Sequence, residues 1–536
     1  MAAKPSAPNV PKAQKPSSLS WTQQLLLFSF FFAGLMLLHA PLLPLPYFLD
    51  EAGYYVPAAR DLYLTGTLIP QTTLSNAHPP LVMSWLAVAW RVAGYSTLVT
   101  RTAMLAVAAF SLLGIWRLSR VVANPAVAWA TTALTTLYPV FFAQSSLAHV
   151  DLAAAGFTFW GLSAYFNDCR WKQAVWFSLA VLAKETAILA PLALFVWEAL
   201  AQIARPRWPE FFPSAERRTR AVHLLLPIVP LACWYAYHYA RTGFLLGNPE
   251  YFRYNVAATL DPLRIPLALG LRLWQLFGYL SLYLLTLAGL LAMLRPAQTE
   301  KGVSRPRIPI WIQVGFLSVV LAYLSFMSAV GGAVLARYML PVLPLVILVL
   351  TATLWRRVRF WKPVVVAVAI AFVAGLFTNP PYGFSLEDNL AYRDYVVMHA
   401  EASRFLAMRY PRARVLTAWP ASDELARPWL GYVSRPFQVV RIEDFTAGQI
   451  SSASAAADQF DVAFVFSTKY QPPHPFLENW TWWQHMKERF FGYHRDLLPE
   501  EIAQRLAGRV VFQKASDGQW VAVIAIEREE EARSVP

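Results

Sequence analysis

The sequence predicts a polytopic α-helical membrane protein with a soluble α/β domain at its C-terminal end. Three observations carry this. Of 536 residues, 57% are hydrophobic and 15% charged, with mean hydropathy +0.39. Average soluble chains are about 45–50% apolar and about 25% charged. Long apolar runs recur as far as residue 378 and then stop. The positive charge lies among those runs: residues 1–378 hold 29 Lys/Arg and 12 Asp/Glu, net +17, whereas 379–536 hold 17 and 20, net −3. The overall +14 is therefore not that of a basic nucleic-acid domain. A single soluble enzyme and a disordered chain are excluded by the same arithmetic.

In chain order, residues 1–20 form a polar Pro-, Ala- and Lys-rich tail. The run after it, 21–45, exceeds a signal-peptide core and reads as a retained first membrane helix. A spanning helix needs roughly 20 apolar residues, fewer inside a bundle. About eleven candidates fit: 21–45, 101–118, 126–143, 152–167, 173–185, 187–201, 222–240, 270–294, 309–330, 338–355 and 363–378. The shorter run 80–95, broken by Arg91, reads as an interfacial helix opened by Pro79-Pro80.

Charge bias between loops orients these spans. With the tail in the cytoplasm, 20 of the 29 basic residues face that side, among them Arg117, Arg120, Arg170, Lys172 and the arginines of 205–220. That face nets +15 and the rest of the membrane part +2. The pattern requires a break near Lys184-Glu185 and leaves residues 379–536 outside the cytoplasm. There, helical stretches around 388–410 and 476–491 alternate with β-rich runs at 414–419, 461–466, 509–513 and 520–526. Such alternation predicts a small α/β domain. His474, His485 and His494 have no metal-ligand spacing and read as structural. Asn479-Trp480-Thr481 fits a glycosylation sequon. Cys169 and Cys233 provide no disulfide framework for this domain.

The first outer loop, 46–100, carries PYFLDEAGYYVPAARDLYLTG and then NAHPPL. Asp50 and Glu51 follow the first helix beside aromatic residues. An acid there is a candidate general base or metal ligand, or a solvated loop acid. His78 could hold a phosphate or cap a helix. Asp151, in SSLAHVD, is costly near lipid unless a polar partner meets it; His149 is one candidate, and a helix N-terminus would also favour it. Lys184 reads either as an anion-binding cation or as a hairpin tip paired with Glu185. Arg337, in GGAVLARYMLPVLPL, could hold a phosphate or snorkel beside Tyr338. The aromatic cluster 251–254 belongs to an outer groove or an interfacial belt. All of these fall on one membrane face, which suits transfer from an anionic lipid donor. No P-loop, dinucleotide fingerprint, zinc spacing or nucleophile elbow is present.

In order and spacing across residues 20–355, LDEAGYYVPAARDLYLTG, HPPL, SSLAHVD, LAVLAKETAILAP and ARYMLPVLP resemble the GT-C membrane glycosyltransferases. The nearest likenesses are the protein O-mannosyltransferases and the bacterial lipid A aminoarabinose transferases. The resemblance implies an inverting transfer from a polyprenyl-phosphate-linked sugar to a protein, lipid or glycan acceptor on the extracytoplasmic face. It implies Asp50 as base with Glu51 beside it, Asp151 as a second acidic site, and His78, Lys184, Arg337 and Tyr338 near the lipid phosphate. His before Pro-Pro-Leu is the mannosyltransferase residue, where aminoarabinose transferases carry Lys; His149-Val150 stands where Arg-Thr is usual. The C-terminal domain resembles that of bacterial members, placing the chain in an inner membrane with that domain periplasmic. No cofactor is required on this reading. A divalent cation, with Asp50, Glu51 and Asp151 as candidate ligands, stays open. The alternative is a transporter or flippase of an amphipathic lipid. It is disfavoured because no repeat is visible and the polar residues gather at one face.

Overall fold

The computed structural model describes residues 19–213, 221–472 and 480–527. Lys4, Lys12, Lys15, Glu216, Arg217, Arg218, Arg220, His474 and Asn479 lie outside the described residues, as does the start of the 476–491 stretch.

Ser20 caps α1 (Trp21–His39) through a capping box with Gln23. The 46–100 loop then folds α2 (Val56–Thr65) and the amphipathic α3 (Leu81–Ala93). Next come α4 (Thr97–Val122), α5 (Pro125–Leu137), α6 (Pro139–Gln144), α7 (Asp151–Phe166), α8 (Arg170–Ala183) and α9 (Leu189–Ala204). Ser96 and Asn124 cap α4 and α5. Beyond them lie α10 (Ile228–Thr242), α11 (Pro249–Asn255), α12 (Arg264–Phe277) and α13 (Leu282–Met293). A short hairpin of β1 (Thr299–Glu300) and β2 (Val303–Ser304) leads to α14 (Ile310–Ala329), α15 (Leu343–Arg357) and α16 (Trp361–Phe377).

Each of the eleven apolar runs is helical over most of its length. Among the described residues, six helical stretches are long and apolar enough to cross a membrane. The other five runs yield α5, α7, α8, α15 and α16, of 13 to 17 residues. At 1.5 Å per residue a 16-residue helix reaches about 24 Å, short of the roughly 30 Å of hydrocarbon. α7 is buried along nearly all its length, so protein rather than lipid surrounds it. Its glycines permit this. A Cβ on Gly156 would stand 2.1 Å from Ser111 Oγ of α4, the small-residue packing that lets membrane helices approach.

The C-terminal region adds α17 (Ala391–Arg409), β3 (Arg414–Ala418), α18 (Ala421–Ala426), β4 (Gln438–Ile442) and α19 (Ala447–Ser454). It ends with β5 (Val462–Phe466), α20 (Thr481–Phe491), α21 (Pro499–Arg505), β6 (Gly508–Ser516) and β7 (Gln519–Ile526). The sheet order is β4-β3-β5-β7-β6. β3 is parallel to β4 and β5, and β7 is antiparallel to β5 and β6. Asp517 and Gly518, at φ 41° and 83°, make the two-residue turn between β6 and β7. The four expected strands are β3, β5, β6 and β7; β4, with Gln438 and Arg441 exposed, had no comparable apolar signal.

Two cores result. One lies within the helical bundle. The other joins the 46–100 loop, the adjoining ends of α4, α7 and α8, and the sheet domain. Tyr432 donates to the Tyr47 carbonyl at 3.0 Å, Tyr95 to that of Trp429 at 2.8 Å and Arg427 to that of Thr72 at 2.9 Å. A Cβ on Gly53 would stand 2.9 Å from the Trp419 indole. The sheet domain therefore clamps the loop that carries Asp50.

Gly156→Ala should destabilise the protein by about 1–3 kcal/mol, the usual cost of overpacking. Thermal unfolding in detergent measures it, and adding Ser111→Ala should restore part of the loss.

Candidate active site

Leu49 has φ 34°, and a one-turn π-helix, Glu51–Tyr55, follows Asp50 directly. Left-handed backbone at a non-glycine residue is costly, and both features concentrate at functional sites. Ala77, just before His78, has φ 58°. The two motifs singled out in the outer loop thus each follow a strained residue.

Asp50 and Glu51 diverge completely. Glu51 is fully buried and forms a double ion pair with Arg101, whose Nη2 donates to Oε2 at 2.9 Å. The backbone N–H groups of Phe48 and Ala148 also donate to Glu51. Arg101 further donates to the carbonyls of Ser146 and Pro46, at 2.9 and 3.0 Å. Every strong acceptor position of Glu51 is taken. It ties the 46–51 turn to α4 and to the loop before α7, and has nothing to offer a reactant or a cation.

Asp50 faces Arg337 instead. The Arg337 guanidinium, itself 1% exposed, donates to Asp50 and to Glu387 and stands 3.4 Å from Asp151 Oδ2. Lys184 Nζ donates to Asp151 Oδ1 at 2.6 Å. Asp151 thereby joins the two cations, one on each carboxylate oxygen. Of the three acids on Arg337, Asp151 and Glu387 are sealed at 2% and 3% exposure, and Asp50 is open at 28%. Lys184 also lies 4.0 Å above the Tyr338 ring, and Arg272 and Arg337 flank the same ring at 5.6 Å.

The local fold explains these positions. Asp151 is the first residue of α7, where the helix dipole favours an acid. Lys184 ends α8 in extended backbone, φ −154°, before the turn Glu185–Ile188. Arg337 occupies the turn Ala336–Met339 ahead of α15, and Glu387 the turn Leu386–Asp388 ahead of α17.

Two pairings differ from expectation. Lys184 does not pair with Glu185; Glu185 takes His78, Nδ1 to Oε2 at 2.8 Å. His78 is therefore held beside the cation cluster, stacked on Tyr55 and edge-on to Tyr251, with centroids at 5.9 and 6.0 Å. His149 is not the ion-pair partner of Asp151. It stands 2.7 Å from Gln144 Oε1 and 3.2 Å from the Arg337 guanidinium. Burial first, then Arg337, Arg101 and Lys184, hold its pKa well below the ordinary value, so it is neutral.

Glu387 and Arg101 complete the site without having been singled out, and Glu185 joins it as the partner of His78 rather than of Lys184. Arg101 opens an apolar run just as Arg337 does, and that shared position was its signal. Glu387 lay in SLEDN beyond the last span, where one more acid in a polar stretch carries no signal. Its burial only becomes visible once α16 and α17 meet. Burial pushes the Glu387 carboxyl up to about 8, against Arg337 and helped by Asp50, Asp388 and Asp151. Among the described residues nothing donates to its Oε1.

As to a divalent cation, Glu51 is spent, and Asp50 and Asp151 converge on a guanidinium that already supplies the positive charge between them. Among the described residues no three His, Cys, Asp or Glu side chains are grouped to hold a metal ion. The donor set in this arrangement does not fit one.

The fold is similar to that of known solved structures. Two solved structures define the likeness. ArnT from Cupriavidus metallidurans, bound to undecaprenyl phosphate, matches with TM-score 0.55 at 13% identity, over 95% of this chain and 99% of that one. The archaeal oligosaccharyltransferase AglB from Archaeoglobus fulgidus, in complex with an inhibitory peptide and a dolichol-phosphate, matches with TM-score 0.50 at 10% identity, over 96% of this chain and 75% of that one. No protein-family model matches the sequence, and no curated protein does.

Glu51→Ala should cost about 3–5 kcal/mol, because it leaves the buried Arg101 charge unpaired. Thermal unfolding of the purified protein checks this. An unchanged midpoint would show that the pair does not hold the turn.

Proposed function

We propose that the protein is an inverting glycosyltransferase. It moves a sugar from a polyprenyl-phosphate-linked donor to a hydroxyl-bearing acceptor on the extracytoplasmic face. In this reading the acceptor oxygen attacks the anomeric carbon and the carbon–oxygen bond to phosphate breaks. The bonding electron pair leaves with the polyprenyl phosphate, and Asp50 takes the acceptor's proton. Arg337 and Lys184 hold the phosphate as its charge grows. Asp151 fixes both cations, and Tyr338 gives their floor. Glu51 acts through position only, by anchoring the turn that presents Asp50. His78 and Glu185 border the phosphate site.

One observation carries this assignment. Arg337 gathers three carboxylates, and Asp50 alone among them is open to a reactant. The likeness to structures holding undecaprenyl phosphate and dolichol-phosphate supports a lipid-phosphate donor. The bias of basic loops supports a cytoplasmic N-terminus and an extracytoplasmic C-terminal domain, and the resemblance to bacterial members supports an inner-membrane location. The acceptor class is a protein, a lipid or a glycan. Mass spectrometry of membranes and secreted proteins, with and without the chain, identifies which molecule gains the sugar.

Asp50→Asn should lower sugar transfer by about 10²–10⁴-fold, the usual contribution of a general base, with donor binding and thermal stability kept. Full activity in that variant would remove the mechanism.

Glu387 sets a pH limit. Between the ordinary 4.5 and about 8 the folded chain holds a proton there that the unfolded chain has lost. Its contribution to stability therefore falls as pH rises through that window. Above about 8 the ionised carboxylate competes with phosphate for Arg337. KM for the donor should rise on the alkaline side of pH 8, and Glu387→Gln should flatten that limb. A pH profile of KM for both proteins measures it.

A further inference from the structure

Two exposed aromatic rings stand beside the turn that presents Asp50. Tyr54 is 36% exposed and Trp419 39%, with ring centroids 6.2 Å apart and planes inclined at 48°. Tyr54 lies one turn beyond Asp50 in the π-helix Glu51–Tyr55, whereas its neighbour Tyr55 is buried against His78. Trp419 comes from the sheet domain, directly after β3. A Cβ on Gly53 would meet its indole at 2.9 Å, so the turn and the sheet domain hold the two rings in fixed relation. Neither ring belongs to either hydrophobic core.

The sheet topology marks the same place. In open α/β sheets, ligands lie outside the carboxyl ends of the strands, where the strand order reverses. Here β4 pairs with one side of β3 and β5 with the other, and the carboxyl end of β3 carries Trp419. Pairing on both sides also closes β3 to an added peptide strand. Partial burial, then Asp50, Glu250 and Asp423, push the Tyr54 hydroxyl up to about 12, so it stays a proton donor.

We infer that Tyr54 and Trp419 form an acceptor subsite for the pyranose ring of a carbohydrate. The inference rests on the transfer reaction proposed above and narrows its acceptor. C–H groups on one face of the sugar ring meet the electron-rich faces of the indole and the phenol. The Tyr54 hydroxyl and Trp419 Nε1 donate to sugar hydroxyls, which leaves the attacking hydroxyl toward Asp50. A free oligosaccharide and the headgroup of a glycolipid present the same ring.

Full-length protein, in a detergent without a sugar headgroup, would be applied to an array of oligosaccharides, glycolipids and serine- or threonine-containing peptides. Carbohydrate should bind and peptides should not. Binding to oligosaccharides as well as glycolipids, or to glycolipids alone, tells the two sources apart. Trp419→Ala and Tyr54→Ala should each weaken the binding about ten-fold, the worth of one well-stacked ring, and Trp419→Phe should keep most of it. Tyr54→Ala tests the subsite even where Trp419→Ala loosens the packing on Gly53. No carbohydrate bound, binding of peptides, or wild-type carbohydrate binding in both alanine variants would each overturn the subsite. Array binding needs no sugar transfer. A bound carbohydrate that never receives sugar would therefore remove the reaction and leave the subsite, whereas transfer to a peptide would remove the subsite and leave the reaction.

Discussion

A buried guanidinium surrounded by carboxylates from distant parts of the chain is the constraint on which this structure turns. Arg337 is nearly inaccessible, and a buried charge is tolerated only when paired. Its partners come from the turn after α1, the start of α7 and the turn before α17. The ion cluster therefore does what a disulfide might do elsewhere: it fixes the relative position of distant segments, Asp50 lying 287 residues before Arg337. Moving any one of those segments leaves a charge unpaired in a low-dielectric setting, which is expensive.

The adjacent acids show how environment divides identical chemistry. Asp50 and Glu51 are neighbours with the same functional group. A one-turn π-helix and a left-handed Leu49 send them to different partners. Glu51 is enclosed by Arg101 and two backbone N–H groups, so its charge is consumed in holding the turn. Asp50 shares Arg337 and keeps an open side. The sheet domain contributes by packing Trp419, Trp429 and Tyr432 against this turn and its neighbours. Rigid backing of a strained turn is what a site needs if one carboxylate is to meet a reactant in a fixed direction.

Much of this was readable before any coordinates. The apolar runs, the strands at β3, β5, β6 and β7, and five of the seven candidate side chains (Asp50, Asp151, Lys184, Arg337 and Tyr338) come together as their common membrane face suggested. Charge bias reports on loops, and loops are what decide which side a residue faces. Pairing was not readable. Lys184-Glu185 looks like a local ion pair, yet their side chains reach Asp151 and His78. Glu387 illustrates the general limit. An acid in a polar stretch becomes a buried site residue only when two domains close over it, and no local pattern encodes that closure.

The net charge at the cluster follows from these pairings. Asp50, Asp151 and Glu387 oppose Arg337 and Lys184, so ionised throughout the group carries one excess negative charge, and Glu387 is the acid that burial drives toward neutrality. With that proton in place the cluster is balanced, and an arriving phosphate meets two cations without a surplus carboxylate. A sealed carboxyl thus governs the electrostatics of the one that faces the open side. A site that must accept an anion while keeping an acid ready to take a proton needs such a third group, because cations sufficient for the phosphate would otherwise stay locked to the base.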